Sequence, residues 1–231
     1  MSPLFPEPLV VRLAPAQIAV GAKRYPCDPA YGTEAWHGAL QALKGIKFQR
    51  SRVTVVLSNH FVRYALVPWS GALATPSEDE AYLRHYFAKI HGERAKAWLF
   101  RASEARRGEP RLASAVDAEL VAAIRALFPK GGAARLVSVQ PALMHVFNGA
   151  RGAMPQPGGA WLVIAEPDRA CVALHADGAF RAVQNAKGEW RTLLERERFR
   201  APHEGTLPDL VLLAGAAAPA DGDWKFRELA A

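Results

Sequence analysis

At 231 residues, half of them hydrophobic and 22% charged, the chain is long enough to bury one large core or two smaller ones and has the balance of a folded globular protein. Its 29 Lys and Arg against 22 Asp and Glu leave a formal charge of +7, which favours an anionic partner: nucleic acid, anionic lipid or an acidic protein face. No apolar run approaches the length of a membrane-spanning helix, and the N-terminus MSPLFPEPLVV lacks the basic and apolar regions of a signal peptide. The two cysteines, Cys27 and Cys171, match no metal-ligand spacing and point to a reducing cytoplasm.

The segments LVVRLAP (9–15) and QIAVGAK (17–23) read as a hairpin of two short strands, followed by a Pro/Gly-rich connector over 25–32. TEAWHGALQALKG (33–45) predicts a helix, with Trp36, Leu40 and Leu43 on one face and Gly45 near its end. VTVVLS and FVRYALVPW then read as two strands of one hairpin, joined at Ser58-Asn59-His60. A second helix follows, capped by Ser77 and carrying acids in its first turn, where they favour the helix dipole. AWLFRAS and RLASAVD read as strands around the polar loop EARRGEP, and AELVAAIRALFPKGG as a third helix. The strand ARLVSVQ feeds a fourth helix that starts at Pro141, a residue suited to a first helical position.

GAMPQPGG (152–159) is the expected linker between a first lobe, 1–151, and a second, shorter lobe, 160–231. After it the pattern restarts. AWLVIAEP, RACVALHA and AFRAVQNAK form a three-strand meander with turns at Pro167-Asp168 and Asp177-Gly178. A helix, EWRTLLERERF, and an apolar strand, DLVLLAG (209–215), complete a β-β-β-α-β order. A dinucleotide-binding fold needs β-α-β from its first strand, so the order favours an α/β, two-lobed actin-like (ribonuclease-H-like) architecture with mixed sheets.

Such a fold hydrolyses ATP only if its strand turns cradle phosphate, through glycine-rich backbone N–H groups and an acid. The first turn here is LAPAQ (13–17), with neither glycine nor acid; the equivalent second turn, AEPDRA (165–170), has Asp168 but no glycine. Gly215, at the end of DLVLL, sits where these folds approach a nucleotide, which makes Asp168 and Gly215 the cofactor-binding candidates. No metal cluster and no catalytic residue is expected: the first strand lacks the carboxylate a metal-dependent nuclease requires, and Ser58 with His60 lacks an acid. Ser58 and Asn59 are expected to satisfy turn backbone groups, and Trp36, Trp69, Trp98 and Trp161 to be core. Arg63 and Tyr64, which alternate in direction along a strand, are the partner-binding candidates; Arg63 either pairs with an acid inside the fold or meets a partner.

The stretch VTVVLSNHFVRYALVPW (53–69) resembles the strand pair of the PilM and secretion-protein-L family, actin-like cytoplasmic components of type IV pilus, mannose-sensitive haemagglutinin pilus and type II secretion assembly platforms. The similarity continues through EDEAYLRHYFAKIHG and AWLFRAS to LVSVQPALMHVFN, and spans roughly residues 9–190. The resemblance implies a scaffold at the cytoplasmic face of the inner membrane that binds partner subunits. PilM-type members also bind a nucleotide and capture a short peptide of a membrane partner. The turns quoted above depart from a nucleotide-binding pattern, and the chain reaches WKFRELAA without a membrane helix, so attachment is expected through a partner or through charge. Three readings stand at this point. The first is a non-enzymatic scaffold with inner-membrane partners and an open question of homo-oligomerisation. The second is an atypical nucleotide-binding protein with Asp168 and Gly215 in one cleft. The third is a basic nucleic-acid-binding module, against which the scatter of its arginines weighs.

Overall fold

A computed structural model describes residues 7–30, 32–73, 75–155, 157–201, 206–219 and 222–229. The residues pack as two compact units, Met1–Val62 with Val116–Ala142, and Arg63–Ala115 with Leu143–Ala231.

In the first unit, β1 (Glu7–Leu13), β2 (Gln17–Val20) and β3 (Lys23–Pro26) form an antiparallel meander. β4 (Ser51–Leu57) lies parallel to β1, and β8 (Ala134–Pro141) parallel to β4, giving the order β3-β2-β1-β4-β8. Val11, Leu13, Ile18, Val53 and Val55 are fully buried. β4 is central and carries β-branched residues in a near-continuous run, as a parallel strand covered by helices requires. Helix α1 (His37–Lys44) buries Ala39, Leu40 and Leu43, and α3 (Ala118–Ala126) buries Leu120, Val121 and Ile124. Asp117 caps α3, its carboxylate accepting from the Glu119 N–H at 2.9 Å.

The second unit repeats the plan. β9 (Gly159–Glu166), β10 (Arg169–Ala176) and β11 (Ala179–Lys187) are an antiparallel meander; β12 (Leu210–Ala214) runs parallel to β9 and β13 (Lys225–Leu229) parallel to β12. The order is β11-β10-β9-β12-β13. Successive side chains of β9 serve opposite faces. Trp161 and Val163 pack with Trp190, Leu193 and Leu194 of α5 (Trp190–Arg200), while Leu162 and Ile164 pack with Leu143 and Phe147 of α4 (Ala142–Ala150). Because both faces are covered, AWLVIA reads as an unbroken apolar run instead of an alternation.

A three-stranded sheet, in the order β5-β7-β6, joins β5 (Val62–Val67), β6 (Trp98–Ala102) and β7 (Arg111–Asp117). Helix α2 (Pro76–His91) packs on it through Leu83 and Phe87. Its cap is Thr75, not Ser77: the Thr75 hydroxyl accepts from Glu78 N–H at 3.2 Å and Glu78 Oε2 accepts from Thr75 N–H at 2.9 Å, with Pro76 opening the helix. This reciprocal pair is the capping box of a Thr-x-x-Glu sequence.

Two further expectations change. β4 and β5 are not a hairpin, since they belong to different sheets; Ser58 N–H still donates to Leu13 O at 2.9 Å, extending the β1 pairing before the chain leaves it. The expected connector 25–32 begins inside a further strand: β3 is an exposed edge strand ending in Pro26, a place where proline is tolerated and apolar patterning is not needed. The compact units group the chain by packing and are drawn differently from the topological lobes 1–151 and 160–231. Residues 63–115 and 143–151 pack with the residues after 159, because Tyr64, Leu66, Leu112, Leu143 and Phe147 share one apolar cluster with Leu162, Ile164, Cys171 and Phe180.

Candidate functional site

β9 and β12 are parallel neighbours with Ile164 opposite Ala214, so Asp168 and Gly215 follow at the same end of the second sheet. Gly215 has φ +83°, and a Cβ there would lie 2.1 Å from Ala165 O. Only glycine fits so close to a neighbouring backbone, and strand packing alone demands it. Asp168 occupies a tight turn at φ 58°, with its carbonyl accepting from Gly188 N–H at 3.0 Å and its carboxylate, 61% exposed, 3.9 Å from Lys187 Nζ. Asp and Asn tolerate this left-handed conformation better than most residues.

Tyr64 belongs to the apolar cluster of α4 and β9. Its hydroxyl accepts from Leu143 N–H at 3.4 Å, at the start of α4, and burial holds its pKa well above the ordinary tyrosine value. Arg63, next along the strand, lies among like charges. Burial first, then the charges of Arg169 and Arg94, lowers its pKa from the ordinary arginine value; burial first, then Arg63 itself, lowers that of His91. Glu166 acts electrostatically on Tyr64 and Cys171, in each case after burial. Arg169 donates from Nη1 to Asn185 Oδ1 at 3.1 Å. Arg63, Arg94, Arg169 and His91 therefore form a cluster of mutually interacting charges, and Arg169 with Glu166 flanks the Pro167-Asp168 turn. Sequence reading separated Arg63 from Asp168; Arg169 and Glu166, adjacent in sequence to that turn, connect them. Helix α2 and the turn after it bring His91 and Arg94, a long-range placement without a local signature.

The phosphate-type turns offer little to an anion. Ala14 N–H already donates to Gln17 O at 3.1 Å, and Pro15 has no N–H. Pro167 likewise removes a donor from the second turn. At the corner after β4, Ser58 Oγ lies 2.9 Å from His60 Nδ1 and accepts from His60 N–H at 3.2 Å, while Phe61 N–H donates to Ser58 O at 3.0 Å. Ser58 is buried and occupied in closing the turn. Among the described residues no group of three or more His, Cys, Asp or Glu gathers as a metal site requires, and no helix is long and apolar enough to cross a membrane. Cys27 and Cys171 are free thiols. Trp36 and Trp161 are core, whereas Trp69 is 38% exposed, under the guanidinium of Arg107 at 5.7 Å.

Two mixed sheets of identical strand order, each a meander followed by parallel strands, are the signature of one architecture, and the solved structures agree. The cytoplasmic domain of Epsl, an inner membrane component of the type II secretion system of Vibrio cholerae, superposes with a TM-score of 0.55 at 15% identity, over 96% of this chain and 89% of that one. A Bacteroides thetaiotaomicron protein with an actin-like ATPase fold and unknown function gives 0.56 at 10% identity, over 92% and 82%. The fold is actin-like. The PilM–PilN type IV pilus biogenesis complex gives 0.56 at 15% identity, over 84% of this chain and 65% of that one. The actin-like fold and its likeness to PilM and secretion-protein-L structures thus agree with the resemblance read from residues 53–69. No protein-family model and no curated protein sequence matches the chain.

Proposed function

We propose that this chain is a non-enzymatic cytoplasmic scaffold, peripheral at the inner membrane, of a type IV pilus-like or type II secretion-like assembly platform, and that it binds inner-membrane partner subunits. The observation that carries the reading is the likeness, across 96% of the chain, to the cytoplasmic domain of an inner-membrane secretion component. The prolines in both phosphate-type turns support it, since they remove N–H donors where nucleotide-binding relatives of this architecture need them. The topological lobes in this reading are 1–151 and 160–231, with 152–159 between them. Arg63 is the proposed partner contact, and Tyr64 fixes the strand that presents it.

The test is binding of the purified chain to the cytoplasmic N-terminal segment of an inner-membrane pilus or secretion subunit, followed by calorimetry. A saturable complex weakened by Arg63→Glu is the expected result. Absence of binding to every such segment encoded beside the gene contradicts the reading. A second reading, an atypical nucleotide-binding protein, rests on Asp168 and Gly215 lying at one sheet end next to the arginines of the charged cluster.

A further inference from the structure

Residues 152–155 and 157–159 of the connector, the β6–β7 loop with its Arg106-Arg107 pair, and the β10–β11 turn converge in the second unit. They enclose a cavity of about 190 Å³ lined by Arg106, Met154, Pro155, Pro157, His175 and Asp177, with Gly158 and Gly178 at its edge. Its walls are fixed from three sides. Asp177 N–H donates to Gly158 O at 2.9 Å, tying the β10–β11 turn to the connector. Glu109 N–H donates to Arg106 O at 3.0 Å, closing the loop turn. The Glu109 carboxylate in turn receives both ends of the Arg181 guanidinium, at 2.5 and 3.4 Å, across 72 residues of sequence. This bidentate pair ties the β6–β7 loop that carries Arg106 to β11. Gly178, at φ +82°, makes the turn, and Arg106 Nη2 lies over it, 3.5 Å from where a Cβ would stand, an ordinary contact.

The chemistry of the lining is uneven. Arg106 is exposed at the rim, and among the described residues no carboxylate pairs with it. His175 is half-buried, its ring set against Phe147 at 4.9 Å and Phe180 at 5.1 Å. Met154, Pro155 and Pro157 supply an apolar wall. Asp177 is exposed on the same rim and opposes a second negative charge. A guanidinium fork, an imidazole and an apolar wall match one carboxylate joined to a small apolar group, and the aspartate disfavours a dianion.

We propose that this cavity binds a small monocarboxylate on an apolar group, with the carboxylate on Arg106 and His175 and the apolar group against Met154 and Pro157. The carboxylate belongs either to a short-chain acid or to a peptide C-terminus. Burial first, then the charges of Arg151 and Arg181, lowers the pKa of His175, so its imidazole is neutral at pH 7 and offers one N–H. The charged groups around it are Arg151 and Arg181, which act on it electrostatically, and Arg106 and Asp177, which line the same cavity; Glu109 neutralises Arg181. The inference does not rest on the scaffold reading.

The experiment is an amide chemical-shift titration of the full chain with butyrate, with butyramide as its neutral isostere, with inorganic phosphate, and with an N-acetylated tripeptide ending in valine. Butyrate is expected to shift the amides of Gly158, Asp177 and Gly178 saturably, phosphate more weakly and butyramide not at all. Arg106→Gln is expected to weaken butyrate about tenfold or more, the size of one charge-assisted hydrogen bond, while Arg107→Gln leaves it unchanged. Tighter binding of the peptide than of butyrate identifies a chain terminus as the natural source, and the reverse order identifies a free acid. Equal shifts with butyrate and butyramide, no saturable shift with any carboxylate, or full affinity in Arg106→Gln overturns the proposal. The butyramide comparison needs no variant and so does not depend on how a variant folds.

Discussion

The two five-stranded sheets share one strand order and one set of parallel and antiparallel pairings, yet they are built from very different sequence. The meander of the second unit has strands of 8, 8 and 9 residues, and β9 and β10 are buried along most of their length. The meander of the first has strands of 7, 4 and 4 residues and finishes in the exposed KRYP. Topology is therefore not what the apolar pattern encodes. The pattern encodes how completely each face is covered, and an edge strand can keep its place with almost none.

The contrast yields paired predictions. In the second sheet, Trp161 is fully buried between β9, β12 and α5, and its Nε1–H donates to Pro208 O at 3.2 Å. Trp161→Ala is expected to cost about 3–5 kcal/mol in denaturant unfolding. Arg24→Ala, in the exposed β3, is expected to change stability by no more than about 0.5 kcal/mol. Equal effects would break the comparison.

A second pair uses glycines at positive φ. A Cβ at Gly215 would sit 2.1 Å from a backbone oxygen, whereas at Gly21, φ +56°, its nearest contact is a side-chain carbon of Leu9 at 3.7 Å. Gly215→Ala is expected to cost about 3 kcal/mol or more, because strand separation must change as well as conformation. Gly21→Ala is expected to cost about 1 kcal/mol, the conformational part alone. Matching melting temperatures for the two variants would show that Ala165 yields easily.

Acid sensitivity should also divide between the units. His91 and His175, both in the second, have pKa values below the ordinary histidine value, chiefly through burial. The unfolded chain binds these protons first, so their contribution is intact above about pH 6.5 and is lost as pH falls from there toward the folded-state pKa. A melting curve series from pH 8 to 5 is expected to fall on the acid side, and less steeply in a His91→Gln, His175→Gln double variant. An unchanged slope would place the acid sensitivity elsewhere. A small effect is expected at the α2 cap, where Thr75→Ala removes half of the capping box and costs about 1 kcal/mol. Ser77→Ala, outside that cap, serves as its control.

How much of this was legible follows from the same contrast. Four strands of the second sheet were readable, β9, β10 and β12 because AWLVIA, RACVAL and DLVLLA announce two covered faces, and its turns because Pro-Asp and Asp-Gly are turn chemistry; the largely exposed edge strand β13 was not. β3 was not, since KRYP has no apolar period to read. The corner at Ser58 was recognised as a joint, but which sheets it joins depends on the distant partners β1 and β7. Asp168 and Gly215 were correctly set at strand ends, while the close approach of Gly215 to Ala165 is a tertiary fact. Arg63 stood out by its context, but its neighbours Arg94, His91 and Arg169 come from three other elements and share no spacing. The carboxylate cavity assembles two features visible in sequence, the Arg106-Arg107 pair and the 152–159 connector, which only the fold brings together.

The central claim is that an actin-like fold with proline in both phosphate-type turns serves as a scaffold and not as a nucleotide-driven machine. Its most direct test is the melting temperature of the full chain with Mg-ATP, with Mg-ADP and without nucleotide, because a ligand that binds only the folded state must raise it. The account predicts superimposable curves. A saturable, magnesium-dependent rise, abolished by Asp168→Asn, would contradict it and make the sheet end at Asp168 and Gly215 a nucleotide site.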